Sequence, residues 1–292
     1  MRRNGPRRPN WRLVASTGSR TGRNTYSSDG DRFRIGCDVG EKVTKLFREL
    51  GDRILASLSG PVIQLQKRLN LWFRKTAGGN TRPVVFDIDE TIPELRVLDR
   101  AFHEIRSEFL KAAENVAVMP TFHELDPLQR HISATTPHDW RMFYLYAMGE
   151  VAEKNAGLCP GTIAALKRVP NLFQASFSVL DPGKSVPAHE GPYYGYLRYH
   201  LAIEVPTDDP PCIRIRDVFH TWRAGGSLLF DDSWDHEVIN TSAQRRVVLI
   251  VDVLRPMPGP QHMVNRFFTF VTRFFYGRPV MRRLAERTAA AA

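Results

Sequence analysis

The chain has 292 residues, 42% of them hydrophobic, and a formal net charge of +10. This length suits one large domain with extensions or two small domains. No run of residues approaches the roughly 18 apolar residues that a membrane-crossing helix needs, so we do not expect an integral membrane protein. The three cysteines are widely spaced and odd in number, which fits neither a disulfide framework nor a zinc knuckle. We therefore expect a reducing compartment and a cytoplasmic location.

Residues 1–38 form an arginine-rich arm that contains no acidic residue before Asp29. Because the arm is rich in Ser, Thr, Gly and Asn and poor in apolar residues, we expect it to be disordered. An organelle transit peptide and a segment that binds nucleic acid or anionic lipid have similar compositions, and nothing in the arm distinguishes them. We do not expect nucleic acid to be the partner.

Residues 39–82 have the pattern of an amphipathic helical segment followed by a linker. In the first part, apolar residues recur at three- and four-residue steps, at Val43, Leu46, Phe47, Leu50, Ile54 and Leu58. A second apolar piece, residues 62–73, carries Lys67 and Arg68. We expect this piece to pack on the body of the protein, with attachment to an anionic membrane as the alternative. Residues 76–82, which include two glycines, are predicted to be the linker.

Residues 83–260 are predicted to form the main domain, beginning with a helix over residues 93–116. The preceding stretch VVFDIDETI is similar to the motif of haloacid-dehalogenase phosphatases, with Asp87 as nucleophile and Asp89 as acid. That fold requires a parallel sheet of repeated βα units, whereas the later part of this chain shows short, closely spaced strands. We therefore expect Asp87 and Asp89 to be loop or helix-entry residues.

From Gln174 onward the hydrophobic pattern has a period of two residues, with turn residues between the segments. Strands are predicted at residues 175–180, 197–205, 212–216, 227–230, 237–240 and 246–253. Many short strands of this kind are typical of a sandwich or jelly roll. Residues 261–292 follow as an aromatic and basic helix and tail. We expect that helix to dock on the sheet, with a position at a membrane interface as the alternative.

Polar residues in the strand region suggest a metal site. In non-haem iron oxygenases, a His and an Asp or Glu two residues later supply two ligands, and a distant His supplies the third. Here His189 is followed by Glu190 and then by Gly191, so the carboxylate is missing, and His236 is the distant candidate. The acidic turn before His236, Asp231 and Asp232, is expected to be solvated or to orient a neighbour.

The strand that begins near Leu197 places Arg198 and His200 on one face by alternation. A buried cation and imidazole that point the same way are costly without an anion or a metal between them, so they predict an acidic ligand. Arg246 opens an otherwise apolar strand and needs a carboxylate partner. Arg245 is the alternative anchor, but alternation along the strand favours Arg246.

Three motifs resemble the aspartyl/asparaginyl β-hydroxylase family, over a stretch from about Trp140 to Pro256. They are FSVLDPGKSVPAHEGPYYGYLRYHL, TWRAGGSLLFDDSWDHEV and RVVLIVDVLRP. The resemblance implies a mainly β fold, a double-stranded β-helix (jelly-roll) core with N-terminal and C-terminal helices. It also implies a dioxygenase that uses iron(II), 2-oxoglutarate and O2. Its iron ligands would be His189 and His236, and its 2-oxoglutarate-binding residues would be Ser178, Arg198, His200 and Arg246.

The substrate is left open by the sequence, which allows a peptide, a lipid or a small molecule. Gly191 matches the animal peptide hydroxylases of the family, which favours hydroxylation of the β-carbon of an Asp or Asn residue. Flanking segments such as WRMFYLY and LCPGTIAALKRVP resemble bacterial relatives that hydroxylate lipid A. The alternative is therefore 2-hydroxylation of a lipid acyl chain at a membrane surface. A non-catalytic binding protein on the same fold is a third hypothesis, but the retained His189, His236 and Arg246 argue against it.

Overall fold

Two antiparallel sheets pack together in the computed structural model, which describes residues 60–114 and 119–290. The predicted basic arm and the amphipathic stretch that begins at Glu41 lie outside the described residues. The seven-stranded sheet has the order β1-β9-β6-β11-β4-β2-β3 and the four-stranded sheet the order β5-β10-β7-β8. The strands are β1 Val85–Phe86, β2 Trp140–Ala147, β3 Glu150–Val151, β4 Leu172–Leu180, β5 Val186–His189, β6 Tyr196–Glu204, β7 Cys212–Ile215, β8 Val218–Thr221, β9 Ser227–Phe230, β10 His236–Ile239 and β11 Arg246–Leu254.

The eight strands from β4 to β11 pass back and forth between the two sheets. Strands β4, β6, β9 and β11 lie in the larger sheet, and β5, β7, β8 and β10 lie in the smaller one. Antiparallel strands that alternate between two packed sheets in this way form a jelly roll. The predicted double-stranded β-helix is therefore confirmed.

Helices precede, interrupt and follow this core. Helical residues 60–76 are labelled α1. The others are α2 Ile88–Thr91, α3 Arg96–Arg100, α4 Phe102–Ala112, α5 Phe122–Leu125, α6 Arg130–Ser133, α7 Glu153–Leu158, α8 Pro160–Leu166, α9 Gly259–Thr272 and α10 Arg278–Ala290, with a π-helical segment at Arg273–Gly277. The single helix predicted for residues 93–116 is instead a 3-10 turn followed by α3 and α4, which meet at Ala101. Asp87 caps α2, which confirms its predicted place at a helix entry.

Side-chain alternation along the strands divides the core into two layers. Tyr199 and Leu201 of β6 pack under the helices with Phe109 of α4. On the other face of the same sheet, Ile250 packs against the smaller sheet in a cluster with Trp222. Side chains that point between the sheets therefore share a protected interior, and the candidate site lies there.

Helix α1 packs on the body of the protein, as the sequence predicted. Its Leu69 and Phe73 are buried in a cluster with Tyr193. Arg82, at the end of the predicted linker, is buried as well, and its Nε donates to Asp231 at 2.9 Å. Within the described residues, no helix has the length and apolar character that crossing a bilayer requires.

Candidate active site

His189 and His236 lie side by side on neighbouring strands. They are register partners between β5 and β10, and their ring centroids are 4.2 Å apart. His189 Nδ1 donates to the carbonyl of Pro187 at 2.8 Å, and His236 Nδ1 donates to the carbonyl of Trp234 at 2.9 Å. Because a carbonyl can only accept, each ring keeps its proton on Nδ1 and presents an Nε2 lone pair.

The environment of the two rings keeps them neutral. Burial is the main cause that lowers the pKa of both His189 and His236 to about 4, so both are uncharged at neutral pH. Neutral imidazole is the form that binds a metal ion. Over the described ranges, no group of three or more His, Cys, Asp or Glu side chains is arranged to hold a metal. The pairing of β5 with β10 brings His189 and His236 together as two candidate metal ligands.

Behind the histidines is a narrow cavity with an unbalanced positive charge. Ser178, His200 and Arg246 line it together with the two histidines. Arg246 is only 2% exposed, and its Nε and Nη2, like both ring nitrogens of His200, have no hydrogen-bond partner among the described residues. The Arg246 guanidinium lies 4.0 Å from the ring of Trp222, and burial lowers the Arg246 pKa. A buried cation without a partner is costly, so the cavity fits an anionic ligand such as a carboxylate.

The neighbouring residues agree with this assignment. The Ser178 hydroxyl accepts a hydrogen bond from Trp140 Nε1 at 2.9 Å and can still donate into the cavity. Arg245, the alternative anchor, is 37% exposed and donates to Glu204 at 2.9 Å. The structure therefore brings Ser178, His200 and Arg246 to one cavity with the two histidines and leaves Arg245 outside it.

Arg198 also lines this cavity, but its charge is already balanced by the protein. Its Nε and Nη2 donate to the two oxygens of Asp252 at 2.7 and 2.9 Å, and its Nη1 lies 3.1 Å from Asp232. Asp252 is the register partner of Arg198 on β11. Because Arg198 is paired, the cation that still needs the predicted acidic ligand is Arg246, and His200 adds two ring nitrogens that have no partner among the described residues. A direct contact between Arg198 and 2-oxoglutarate stays a prediction.

Asp232 is the residue whose importance the sequence interpretation missed. Of the two alternatives predicted for Asp231 and Asp232, solvation is wrong, because both are fully buried, and contact with neighbouring side chains is what the structure has. A Cβ atom at Gly191 would lie 2.6 Å from Cγ and from both carboxylate oxygens of Asp232. Asp232 Oδ2 accepts from the Tyr196 hydroxyl at 2.8 Å, while Oδ1 has no partner in the described part of the chain. A carboxylate therefore occupies the space that a side chain at position 191 would need.

The turn that holds Asp232 is fixed by ion pairs with distant residues. Asp231 binds Arg82 at 2.9 Å and Arg255 at 2.7 Å, and both arginines are buried. In the sequence, the only sign of these ion pairs is that two aspartates follow an apolar strand. Their partners lie far away along the chain, so no spacing rule could have identified them.

The contact between Gly191 and Asp232 leads to a prediction. Gly191→Asp should lower the free energy of unfolding by about 1–3 kcal/mol, because the new side chain overpacks the site and faces a like charge. The double variant Gly191→Asp with Asp232→Gly should recover at least half of that loss. Thermal unfolding of both variants measures the effect.

Gly157 provides the matched control, because a Cβ atom there would meet nothing within 4 Å. Gly157→Asp should leave the unfolding temperature nearly unchanged. If Gly191→Asp is as stable as the parent, the close packing of Gly191 on Asp232 is refuted.

Comparison with known proteins places these features in a family. The family model for Aspartyl/Asparaginyl beta-hydroxylase matches residues 99–256. An ornithine lipid ester-linked acyl 2-hydroxylase from Rhizobium tropici is 37% identical over 205 residues, which is 70% of each chain. The human aspartyl/asparaginyl beta-hydroxylase is 34% identical over 128 residues, which is 42% of this chain and 17% of that longer protein. Among solved structures, a prolyl-4-hydroxylase from Pseudomonas putida aligns with a TM-score of 0.35 and 14% identity, covering 53% of this chain and 88% of that one.

Proposed function

The chain belongs to the aspartyl/asparaginyl β-hydroxylase family, and we propose that it hydroxylates a lipid acyl chain with iron(II), 2-oxoglutarate and O2. One observation supports the cofactor part of the proposal. Neutral His189 and His236 line the same cavity as His200 and Arg246, and within the described residues both ring nitrogens of His200 and Nε and Nη2 of Arg246 have no hydrogen-bond partner. When bound, iron(II) and 2-oxoglutarate supply the O2-dependent chemistry that places a hydroxyl group on a C–H carbon.

The residues of the chain have separate roles in this proposal. His189 and His236 hold iron through Nε2, and the backbone carbonyls at Nδ1 fix the orientation of both rings. Arg246 binds the distal carboxylate of 2-oxoglutarate, since its planar guanidinium can donate two parallel hydrogen bonds. His200 and Ser178 offer further polar contacts along the same cavity.

A larger chamber, which shares His189 with this cavity, is suited to an apolar substrate. Its volume is about 320 Å³, and His189, Gly191 and Asp232 form part of its wall. Most of the remaining wall is aromatic or aliphatic and includes Phe122, Leu128, Ile132, Trp140, Met142, Met148, Phe173, Tyr193 and Phe268. Apolar walls with a few polar groups near the reactive centre suit an acyl chain.

The charges of the residues that line the chamber also favour an uncharged acyl chain as the substrate. Four carboxylates line it, from Asp126, Glu190, Asp232 and Asp252. Among the described lining residues, Arg198 is the only Lys or Arg, and it is bound to two of those carboxylates. An aspartyl substrate would bring a further negative charge to this surface, whereas an acyl chain would not. The relation to the Rhizobium acyl 2-hydroxylase supports the same choice.

Hydroxylation of an Asp or Asn β-carbon remains a second candidate. The observation in its favour is the two-histidine site with Gly191 in place of a carboxylate, together with the similarity to the human hydroxylase. The charge of the chamber favours Asn over Asp within this candidate, because an amide is neutral.

A fractionated extract distinguishes the two candidates. The purified protein is incubated with iron(II), 2-oxoglutarate and O2, together with either the lipid or the peptide fraction of a cell extract. We expect succinate to form and one oxygen to appear on acyl chains, with the peptides unchanged. Oxygen confined to Asp or Asn residues would overturn the lipid proposal. Failure to form succinate with either fraction would overturn the cofactor assignment as well.

A further inference from the structure

Helix α9 leaves an apolar stripe exposed to solvent, while Asn265 and Phe268 on its other face are buried. Three large apolar residues at helical spacing are exposed: Met263 at 72%, Phe267 at 68% and Phe270 at 57%. On the opposite face, Asn265 is fully buried, accepts from the Tyr193 hydroxyl at 2.7 Å and donates to the Gly195 carbonyl at 2.6 Å. Large exposed apolar residues at helical spacing are unusual on a surface helix, so this stripe has the character of an interaction surface.

Unpaired cations lie beside the stripe. A groove of about 510 Å³ runs along one flank of α9, and Lys167, Arg266 and Phe270 are among its lining residues. Within the described part of the chain, neither Lys167 nor Arg266 is in a salt bridge. An apolar stripe with free cations at its border is the arrangement by which a helix lies in the surface of an anionic bilayer.

The same helix reaches the substrate chamber from its other side. Phe268 and Thr272 of α9 line the chamber, and Met148 and Phe173 line both the chamber and the groove. The groove that Lys167 and Arg266 line and the chamber beside His189 therefore share two wall residues. An acyl chain taken from a bilayer at α9 would have a short path to the site.

We propose that α9 docks the protein on an anionic lipid bilayer, with Met263, Phe267 and Phe270 inserted at the boundary between headgroups and acyl chains. The inference rests on the proposed lipid substrate and adds the surface from which that substrate is taken. A second copy of the chain is the less suitable occupant, because it would bring Lys167 and Arg266 against a surface that carries the same charges.

The test compares vesicle binding by the full chain and by two variants. In each variant, exposed phenylalanines at a different place on the surface are replaced by serine. Vesicles contain either phosphatidylglycerol or phosphatidylcholine, and binding is measured by co-sedimentation. Phe267→Ser with Phe270→Ser should weaken binding to phosphatidylglycerol vesicles about tenfold or more, because two buried aromatic rings are lost. Phe219→Ser is the matched control, since Phe219 lies on β8 and is 64% exposed. Its binding should stay within about twofold of the parent's.

An activity measurement separates this inference from the proposed function. If the inference holds, the double variant hydroxylates lipid dispersed in detergent as the parent does, and loses activity on vesicles. Vesicle binding that depends on Phe267 and Phe270 supports the docking surface even if acyl chains are not hydroxylated, and that result would overturn only the proposed substrate. No binding by the parent, or equal binding by parent and double variant, overturns the docking surface. A lipid-free dimer that the double variant cannot form would also overturn it.

Discussion

Replacement of His189 or His236 by alanine is expected to lower 2-oxoglutarate turnover by more than about a hundredfold, since even residues that only support a ligand contribute 10- to 100-fold. Each variant leaves a single imidazole, and within the described residues no third His, Cys, Asp or Glu side chain completes the site. Succinate release and bound iron are measured on the same preparation. A loss of both would show that the variant fails at metal binding and not at a later step.

His103 provides the control for this experiment. It is an exposed residue of α4 and lines neither the cavity nor the chamber. His103→Ala should keep the parent's turnover and iron content. Parent-like succinate release by the His189 or His236 variant would exclude that residue as a ligand.

Replacement of Arg246 by lysine is expected to weaken 2-oxoglutarate binding about 10- to 150-fold, which corresponds to about 1.5–3 kcal/mol for a charged hydrogen bond. Lysine keeps the charge but cannot reproduce the two parallel bonds of a guanidinium to a carboxylate. The dependence of succinate release on 2-oxoglutarate concentration measures the effect.

The adjacent arginine makes a stringent comparison, because Arg245→Lys changes the same chemical group one residue away. Arg245 pairs with Glu204 at the surface, so its replacement should change the 2-oxoglutarate affinity less than about twofold. Equal losses in the two variants would contradict the assignment of the cavity.

The sequence predicted strands β4, β6, β7, β9, β10 and β11 and missed β1, β2, β3, β5 and β8. Strands β4, β6 and β11 each have nine residues, and their apolar patterns between turn residues are clear. Strand β5 has only four residues and contains Pro187, which is tolerated because β5 is at the edge of its sheet. Strand β2 was also missed. Its sequence WRMFYLYA hardly alternates, because side chains on both of its faces are buried.

The side of the sheet on which the site residues lie was predictable from the same period-two pattern that predicts the strands. Alternation correctly placed Arg198 and His200 together between the sheets, and it favoured Arg246 over Arg245 for the interior. The partners of Arg198 were not predictable, because Asp252 reaches it through the register of β6 and β11, which the sequence does not specify. The contact of Asp232 with Gly191 depends in the same way on the path of a turn.

The helical pattern of α9 was recognised from the sequence. Which face of the helix is exposed to solvent could not be predicted. Periodicity shows that one face of a helix is apolar and does not show which face the protein covers. Asn265 is buried beside Phe268 because Tyr193 and Gly195 satisfy its amide, and the stripe of Met263, Phe267 and Phe270 lies on the exposed side. The membrane alternative of the sequence interpretation therefore gains a specific surface to test.

In the proposed function, His189 and His236 are the protein ligands of iron(II), and Arg246 anchors 2-oxoglutarate beside it. Equilibrium dialysis against iron(II) without oxygen tests this claim most directly, with and without 2-oxoglutarate. We expect about one iron per parent chain, tighter binding when 2-oxoglutarate is present because it chelates the metal, and no iron in a variant that lacks both histidines. Parent protein that binds no iron, or a double-histidine variant that binds as much as the parent, would contradict the claim.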